Sequence, residues 1–508
     1  MLVIISDLHL TDGTTGSTIG ASAFRDFRGR LEELVYDASW RDNREAQSAD
    51  PSQPDKIYRP ISSFDLILLG DIFDIIRSTA WTDDPEQIRP WRDDSIDDWD
   101  SKMAAKVDQI VDAILCHNHK ALTVLRELSA ETAPLNVAPT TFQKDGETIE
   151  IDYTQRRPIT IPQANQHHQP DPSLPHVEVP VRLHYFVGNH DWFYTCEGAQ
   201  YDRIRAKTVE ALGLSSDLSK PFPWDLVAES HPHLTKTLQA HDLFVRHGDM
   251  YDEFNFDRKL GRRDMASLGD ALVIELVNRF PIEVESVLWK EREHYTIFVD
   301  SLKEIANVRP MNSLPAWLNS LIEGYKASGM QREVRVKIQQ VWNQLVDNLL
   351  DSEFVKQQDT WNPLQSVDKL QVFLQTSKFV SIARAEGLIE LGETVSRFVT
   401  SAVDAYAREA AREPWLVEGK AKYVVYGHTH VQRIVPLDRR VSAEKDEKLL
   451  YFNSGTWKRL HEQTIFSGEG TKFVDFMVMS YIAFFQEDER SGRPFETWTG
   501  TLATQRYE

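Results

Sequence analysis

The sequence predicts a mixed α/β fold in which apolar strands alternate with helical segments. Six short apolar stretches fit strands of sheets that are covered on both faces. They are residues 2–5, 64–69, 181–187, 243–246, 422–426 and 449–452. Between the first two stretches, apolar residues from Phe24 to Val35 recur at helical spacing. This alternation is typical of a domain whose helices pack on its sheets.

The remaining segments interrupt or complete this core. A helix is predicted for about 103–128 and a second one for 201–212, each from its apolar periodicity. The turn sequence KDG at 144–146 lies between two β-like segments and predicts a hairpin. Residues 258–415 are predicted to be mostly helical. The apolar run at 476–485 fits a buried strand.

The composition excludes several classes of protein. Glycine and proline contribute 23 residues each to a chain of 508, too few for a collagen-like or low-complexity protein. Only two cysteines occur, Cys116 and Cys196, so the chain is not a disulfide-stapled scaffold. A chain of this length buries a substantial core without covalent links.

The charge is strongly acidic. The chain has 57 Lys and Arg against 78 Asp and Glu, a net charge of −21, which disfavours binding to duplex nucleic acid and to anionic lipid. No apolar run reaches the roughly 20 residues of a membrane helix, so no membrane span is expected. The first residues lack the basic segment and cleavage site of a secretory signal. We therefore expect a cytoplasmic protein.

Polar clusters with metal-ligating side chains follow five of the predicted strands. They combine carboxylates, an amide and imidazoles: Asp7 and His9; Asp71 and Asp74; Asn189, His190 and Asp191; His247 and Asp249; His428 and His430. Ligands of open α/β sheets bind outside the carboxyl ends of strands, which is where these clusters occur. Alternate residues of an extended segment point the same way, so Asp7 with His9, and His428 with His430, can face one site.

These side chains predict a metal centre with oxygen and imidazole ligands. The lack of thiolates argues against a structural zinc site, whereas these donors suit Mn²⁺, Fe or Zn²⁺ with five or six ligands. A carboxylate such as Asp71 can bridge two cations and reduce their mutual repulsion. Gly70, Gly188 and Gly427 each precede a cluster, where a strand must turn sharply.

In chain order, the motifs SDLHL, GDIFD, GNHD, HGD and GHTH resemble those of the calcineurin-like metallophosphoesterase superfamily. The resemblance covers three core segments, 1–75, 181–257 and 416–508. It implies a four-layer α/β/β/α sandwich with two interruptions, an insertion at 76–180 and a large, mostly helical insertion at 258–415. The helical insertion is expected to cap or flank the site. The resemblance explains neither insertion.

The resemblance also divides the candidate ligands between two divalent ions. One ion would be held by Asp7, His9, Asp71 and His430. The other would be held by Asp71, Asn189, His247 and His428. Mn²⁺ is the expected metal, with Fe and Zn²⁺ as alternatives. For the single-histidine ligand His247, the rival is His241, which precedes the strand at 243–246, whereas His247 follows it beside a glycine.

The implied reaction is metal-dependent hydrolysis of a phosphate ester. Two cations can clamp the attacking and leaving oxygens of an in-line displacement, and a hydroxide that bridges them attacks phosphorus. His190 would donate a proton to the leaving oxygen or stabilise the transition state, and Asp74 would orient His190. An imidazole held by a carboxylate has the pKa range that general acid catalysis needs.

Four cations follow the HGD motif and are candidates to bind a phosphorylated substrate: Arg258, Lys259, Arg262 and Arg263. The alternative interpretation of these four is an ordinary solvated helix start.

The substrate itself is left open between a monoester, a diester and a pyrophosphate. A phosphorylated partner is expected, and a nucleotide-containing one is among the candidates. GDIFD and GNHD also resemble the break-repair nuclease branch, whereas HGD and NSGTW resemble the UDP-diacylglucosamine pyrophosphohydrolase branch. The alternatives are therefore a nuclease on the same core or a non-enzymatic, metal-containing scaffold. The net charge does not favour nucleic acid.

Overall fold

The protein is described by a computed structural model that covers residues 1–84, 86–131, 140–144, 147–215, 221–225, 231–258, 260–309, 313–327, 329–358, 374, 405–441, 446–464, 472–486 and 488–502. These residues form a mixed α/β structure with both helices and sheets, which confirms the predicted fold class.

The strands of the described residues belong to two larger sheets and four two-stranded ones. In chain order they are β1 Leu2–Ile5, β2 Trp40–Asp42, β3 Lys56–Tyr58, β4 Phe64–Leu69, β5 Thr140–Lys144, β6 Glu147–Ile151, β7 Ile159–Ile161, β8 Gln163–Ala164, β9 Pro170–Asp171, β10 Val177–Val179, β11 Val181–Phe186, β12 Leu243–Val245, β13 Tyr423–Tyr426, β14 Arg433–Val441, β15 Asp446–Asn453, β16 Lys458–Gln463, β17 Phe473–Phe484 and β18 Phe495–Leu502.

The helices alternate with the strands in the first half of the chain and dominate the segment from 268 to 358. They are α1 Ala21–Ala38, α2 Arg44–Ala49, α3 Trp99–His117, α4 His119–Leu128, α5 Ala199–Leu212, α6 Pro232–Gln239, α7 Leu268–Leu272, α8 Arg279–Val287, α9 Arg292–Leu302, α10 Leu314–Ala327, α11 Arg332–Asp351 and α12 Glu353–Gln358, with a further short helix at Pro414–Val417. A π-helical turn at Val273–Asn278 joins α7 to α8. Among the described residues, no helix combines the length and apolarity needed to cross a membrane, as expected.

The larger sheet has six strands in the order β11-β4-β1-β17-β16, and β18 also pairs with β17. Strands β11, β4 and β1 are parallel, with Leu2 opposite Asp65 and Val181 opposite Phe64. Strand β17 runs antiparallel to β1. Strands β1 and β4 are buried along their whole length, which explains their uninterrupted apolar sequences.

The smaller sheet has four strands in the order β12-β13-β15-β14. Strands β12, β13 and β15 are parallel, and β14 pairs antiparallel with β15. In each sheet the parallel strands end at the same edge. The five polar clusters of the sequence follow β1, β4, β11, β12 and β13, so the fold delivers all of them at such edges.

The two sheets share one buried apolar cluster. Ile4 and Ile67 of the larger sheet belong to it together with Val245, Val425 and Phe452 of the smaller sheet. Because successive side chains of a strand point to opposite faces, the neighbours of these residues face away from the second sheet. On that outer face, the larger sheet packs against helices. Strand residues such as Val3 and Leu66 share a cluster with α1, α3, α4 and α5.

The predicted helical segment 258–415 is helical over most of its described part and has a core of its own. Residues from α7 to α12 bury a separate apolar cluster that includes Phe280, Phe298, Trp342 and Leu345. Helices α3 and α4, which lie inside the predicted insertion 76–180, instead pack on the larger sheet.

One predicted helix is divided in two. The periodicity predicts a single helix over 103–128, but α3 ends at His117 and α4 begins at His119. Asn118 lies between them with φ −101° and ψ 12°, and its Nδ2 donates to the carbonyl oxygens of Thr11 at 2.7 Å and Ile114 at 2.9 Å. An Asn side chain that bonds backbone carbonyls competes with helix continuation. The predicted hairpin is confirmed, since β5 and β6 pair antiparallel; its residues 145–146 lie outside the described residues.

We expect Trp457→Ala to destabilise the protein by about 3–5 kcal/mol. Trp457 is fully buried, its indole Nε1 donates to the carbonyl of Ser480 at 2.6 Å, and its ring packs against Phe24 and Phe27. Trp289, which is 59% exposed, provides the matched control, and Trp289→Ala should change the unfolding free energy by less than about 1 kcal/mol. Urea denaturation followed by circular dichroism measures both changes. Equal effects of the two substitutions would contradict the expectation.

Candidate metal centre

Five of the candidate ligands have a left-handed backbone. The φ angles are 54° at Asp7, 46° at His9, 52° at Asp71, 67° at His428 and 61° at His430. A residue other than glycine loses about 1–2 kcal/mol in this conformation, and such strain clusters at functional sites. The turns after β1, β4 and β13 are therefore held in a form that their own backbones do not favour. Their side chains converge as a result.

The first group of ligands gathers Asp7, His9 and His430. Nε2 of His9 lies 3.0 Å from Nε2 of His430 and 3.9 Å from Oδ1 of Asp7. Nε2 of His430 lies 3.3 Å from the same carboxylate oxygen. All three residues are buried, and their ligating atoms form one compact set. These residues come from the ends of β1 and β13, one strand from each of the two larger sheets.

The second group gathers Asp71, His247, His428 and Asn189. Nε2 of His247 lies 3.3 Å from Oδ2 of Asp71, and the ligand atoms of these two residues and His428 lie within 4.8 Å of one another. Nδ1 of His428 lies 3.0 Å from Oδ1 of Asn189. The amide nitrogen of Asn189 donates to Asn255 at 3.2 Å, which leaves its oxygen facing the group.

Asp71 joins the two groups. Its Oδ2 is 3.3 Å from Nε2 of His247 and 3.7 Å from Nε2 of His9, and its Oδ1 accepts the backbone N–H of His190 at 2.8 Å. Only glycine fits the two turns that close on this carboxylate. A Cβ at Gly188 would lie 2.2 Å from Oδ1 of Asp71, and one at Gly70 would lie 2.4 Å from Nδ1 of His247.

Hydrogen bonds on the far side of the rings orient the histidines. Nδ1 of His9 lies 2.8 Å from Oδ2 of Asp74. Nδ1 of His247 donates to the carbonyl of Leu69 at 2.8 Å, and Nε2 of His428 lies 3.1 Å from Oδ2 of Asp252. Metal-binding histidines carry such partners on the nitrogen that does not bind the metal, because the partner fixes the tautomer and the ring orientation.

The arrangement of polar atoms in the centre favours a bound cation. Nε2 of His247 is buried, and no described residue forms a hydrogen bond with it. The ring of His428 lies between two acceptor oxygens, those of Asn189 and Asp252, although a neutral imidazole has one N–H. A divalent cation in the second ligand group would satisfy these atoms. The carboxylate and imidazole donors of both groups therefore fit divalent cations.

The buried carboxylates and imidazoles of the centre shift one another's pKa values. Burial, reinforced by Asp71 and opposed by His247, raises the pKa of Asp7 to about 6. Burial acts to lower the pKa of His247, but the carboxylates of Asp71 and Asp7 outweigh it and raise the pKa to about 9. Burial lowers the pKa of His9 and of His430 well below the usual value, so both rings are neutral.

His190 and Asp74 form a pair beside the centre. Nδ1 of His190 lies 2.6 Å from Oδ1 of Asp74, while the other oxygen of Asp74 faces His9. The imidazole of His190 is partly exposed and the Asp74 carboxylate is fully buried. Burial acts to lower the pKa of His190, but Asp74 and Asp71 outweigh it and raise the pKa above its usual value. A protonated His190 can thus present Nε2 as a donor to an anion.

Asp191 and Asp249, the remaining acids of the motifs, hold the turns. Asp191 accepts the backbone N–H groups of Ile72 at 2.9 Å and Gly188 at 2.6 Å. Asp249 forms a buried ion pair with Arg263. Both acids therefore stabilise the loops that carry the ligands.

Three of the four cations predicted to bind substrate have protein partners. Arg263 is buried, pairs with Asp249 and lies over the ring of Phe256. Arg262 is exposed and pairs with Asp264 at 2.7 Å. Arg258 donates from Nε to the carbonyl of Met250 at 3.1 Å, and Lys259 lies outside the described residues. A role of these four in substrate binding stays a prediction.

His247 and its rival His241 lie at opposite ends of β12. His247 follows the strand and joins the second ligand group. His241 precedes it, where Nδ1 donates to the carbonyl of Thr237 at 2.8 Å.

Asp65, His184 and His233 form a further group of possible metal ligands, but the Asp65 carboxylate already has a cationic partner. Arg182 forms two hydrogen bonds with the Asp65 carboxylate, at 3.0 and 2.9 Å. The group is therefore an ion pair of the larger sheet.

Sequence reasoning missed Asp252, Arg77 and Arg309. Asp252 follows the HGD motif by three residues and Arg77 follows Asp74 by three, so proximity to the motifs was a usable signal. Arg309, whose Nε donates to Nδ1 of His430 at 3.1 Å, belongs to the helical insertion. Arg309 is far in sequence from every motif, so no sequence pattern pointed to it.

Comparisons with known proteins find no matching family model, no significantly similar curated protein and no significantly similar solved structure.

We expect Asp71→Asn to reduce the bound divalent metal from two ions per chain to one or none. The substitution keeps the shape of the side chain but removes the one negative charge that both ligand groups share. Asp446→Asn, which changes an exposed carboxylate on β15, is the matched control and should keep both ions. Mass spectrometry of the metal content after dialysis measures this. Unchanged metal content in Asp71→Asn would contradict the assignment.

Metal binding at neutral pH should release protons. With a pKa of about 9, His247 carries a proton that competes for the same ring nitrogen, so the apparent metal affinity should rise with pH until about pH 9. Calorimetric titration with Mn²⁺ in buffers of different ionisation enthalpy counts the released protons, and we expect about one per chain at neutral pH. A binding heat that is independent of the buffer would rule out this expectation.

Proposed function

We propose that the protein is a dinuclear metallophosphoesterase of the calcineurin-like superfamily, which hydrolyses a phosphate ester with two divalent metal ions. Mn²⁺ is the favoured metal, and Fe and Zn²⁺ are the alternatives. One observation carries the proposal: two groups of buried ligands share Asp71, and the His190–Asp74 pair lies directly beside them.

The arrangement of secondary structure supports the same superfamily. Two sheets meet at a common apolar cluster. Helices α1, α3, α4 and α5 cover the outer face of the larger sheet. Residues Tyr406, Ala407, Ala410 and Leu416 pack against Val424 and Tyr426 on the smaller sheet. We propose that these elements form the four-layer α/β/β/α sandwich that the motifs imply.

The residues around the centre fit hydrolysis at phosphorus. When bound, two divalent cations supply the Lewis acidity that lowers the pKa of water and neutralises the phosphate. Asp71 holds the two ligand groups at a fixed spacing, and Asp74 fixes His190 through Nδ1. Nε2 of His190 is then free to protonate the oxygen of the departing alcohol, which would otherwise leave as an alkoxide.

The alternative to an enzyme is a non-enzymatic, metal-containing scaffold, and detection of turnover would exclude it. The partly exposed imidazole of His190, with its raised pKa, favours the enzyme over a metal site that only stabilises the fold. A nuclease on the same core would also need these groups, so the choice between the two rests on the substrate.

We expect the Mn²⁺-loaded protein to hydrolyse p-nitrophenyl phosphate or its bis ester, and His190→Ala to lower kcat by about 10²–10⁴ without loss of metal. Loss of the proton donor accounts for this decrease. His167→Ala, which alters an exposed loop histidine, is the control and should leave kcat unchanged. Absence of turnover on mono-, di- and pyrophosphate substrates and on oligonucleotides, with each of the three metals, would favour the scaffold.

A further inference from the structure

A group of three cations lies beside the first ligand group, on the side of His9, Asp74 and His430. Nη1 of Arg77 lies 3.4 Å from Oδ2 of Asp74, and Nε of Arg309 lies 3.1 Å from Nδ1 of His430. Lys458 begins β16 directly after Thr456 and Trp457, which both bind the carbonyl of Asp7. We call Arg77, Arg309 and Lys458 the cation cluster.

Lys458 lacks the partner that a buried ammonium needs. The residue is 2% exposed, and no described residue forms a hydrogen bond with its Nζ. An isolated buried charge is costly, so such groups are normally paired or neutral. Burial, together with the charges of Arg309 and Arg77, lowers the pKa of Lys458 well below its usual value.

The backbone keeps Lys458 next to a candidate metal ligand. It is the first residue of β16, and the two residues before it bind the main chain of Asp7. Oγ1 of Thr456 donates to the Asp7 carbonyl at 2.8 Å, and the N–H of Trp457 donates to it at 3.1 Å. The main chain of Lys458 is therefore anchored beside Asp7.

Arg309 is brought to the same place by the helical insertion. The N–H of Arg309 donates to the carbonyl of His461 on β16 at 3.2 Å. Its Nη1 donates to the carbonyls of Ala306 and Val308 at 3.2 and 2.8 Å. These contacts fix the guanidinium beside His430. Its bonds to described residues use Nε and Nη1, so Nη2 is available to a ligand.

Arg77 has a different role within the cation cluster. Its Nη1 reaches Asp74, and its Nη2 lies 3.4 Å from Oδ1 of Asn307. One carboxylate therefore offsets the charge of Arg77, whereas the structure provides no carboxylate in direct contact with Arg309 or Lys458 among the described residues. We treat Arg77 as a positioning residue for Asp74.

We propose that Arg309 and Lys458 bind the phosphoryl group of the substrate, and that the enzyme consequently prefers phosphomonoesters, or terminal phosphates, to diesters. This inference rests on the proposed function. A diester has two non-bridging oxygens and one negative charge, whereas a monoester has three and close to two charges at neutral pH. A monoester therefore offers these two donors one more oxygen and about one more negative charge than a diester does.

The reaction then balances as a simple hydrolysis. The oxygen of water forms a bond to phosphorus and the bond from phosphorus to the ester oxygen breaks. The alcohol leaves with a proton from His190, the proton that the water loses restores the charge of His190, and inorganic phosphate remains. Arg309 and Lys458 donate hydrogen bonds to non-bridging oxygens.

The test compares Arg309→Gln and Lys458→Met in the full-length, Mn²⁺-loaded protein. We expect each variant to lower kcat/KM for p-nitrophenyl phosphate by about tenfold or more, and kcat/KM for the bis ester by less than about threefold. The inhibition constant of inorganic phosphate should rise by about tenfold in each, while the metal content stays at the wild-type level. The controls are Arg439→Gln and Lys326→Met, two exposed cations away from the cation cluster.

The outcomes separate this inference from the proposed function. Equal losses on both substrates, or an unchanged inhibition constant for phosphate, would overturn the subsite and leave the phosphoesterase intact. If the wild type hydrolyses neither substrate, calorimetric binding of inorganic phosphate to the Mn²⁺-loaded protein decides. Weaker binding in both variants supports the subsite, and equal binding overturns it. Thermal unfolding checks that both variants fold, and Lys458→Met should not lower the midpoint, since it removes a buried amino group that has no hydrogen-bond partner among the described residues.

Discussion

The structure of the centre depends on the compensation of buried charge at Asp71. This carboxylate is excluded from water and lies within 3.3–3.7 Å of imidazoles from two different ligand groups. A buried carboxylate persists only when positive charge or hydrogen bonds replace the lost water. One N–H, that of His190, meets part of this need. The remaining compensation for the Asp71 charge has to come from protons on the histidines or from bound cations. Metal binding, protonation and loop geometry are therefore coupled to one another.

Much of the centre was predictable because its parts are local. A strand end, a glycine and an adjacent Asp, Asn or His form a pattern of a few residues, and Asp71, Asn189 and His428 were found in this way. The break at Asn118 was missed because helical periodicity continues through it, and a side-chain bond to Thr11, which is distant in sequence, decides the conformation. Arg309 was missed for the same reason on a larger scale. No local feature of the sequence around Arg309 indicates that this residue contacts β16. The packing of the long insertion on the core determines that contact.

The same contacts stabilise the fold and the candidate metal centre. Strand β16 begins at Lys458, and the segment before it binds the main chain of Asp7 while Trp457 fills the core beneath α1. The left-handed backbones of the ligand turns have to be held by such contacts, since isolated turns would relax. A loss of packing at Trp457 would therefore reach the ligands through the backbone of Asp7.

The net charge of the chain is negative, whereas the cation cluster is locally positive, and the two act at different ranges. The net charge of −21 repels large polyanions, but salt screens it beyond about 8–10 Å. Within that distance, Arg309, Lys458 and bound metal would attract a phosphoryl group. An extended duplex meets the acidic surface over its whole length, whereas a small phosphate ester meets it only on approach. The combination favours a small, highly charged substrate, the same class that the unpartnered donors of the cation cluster indicate.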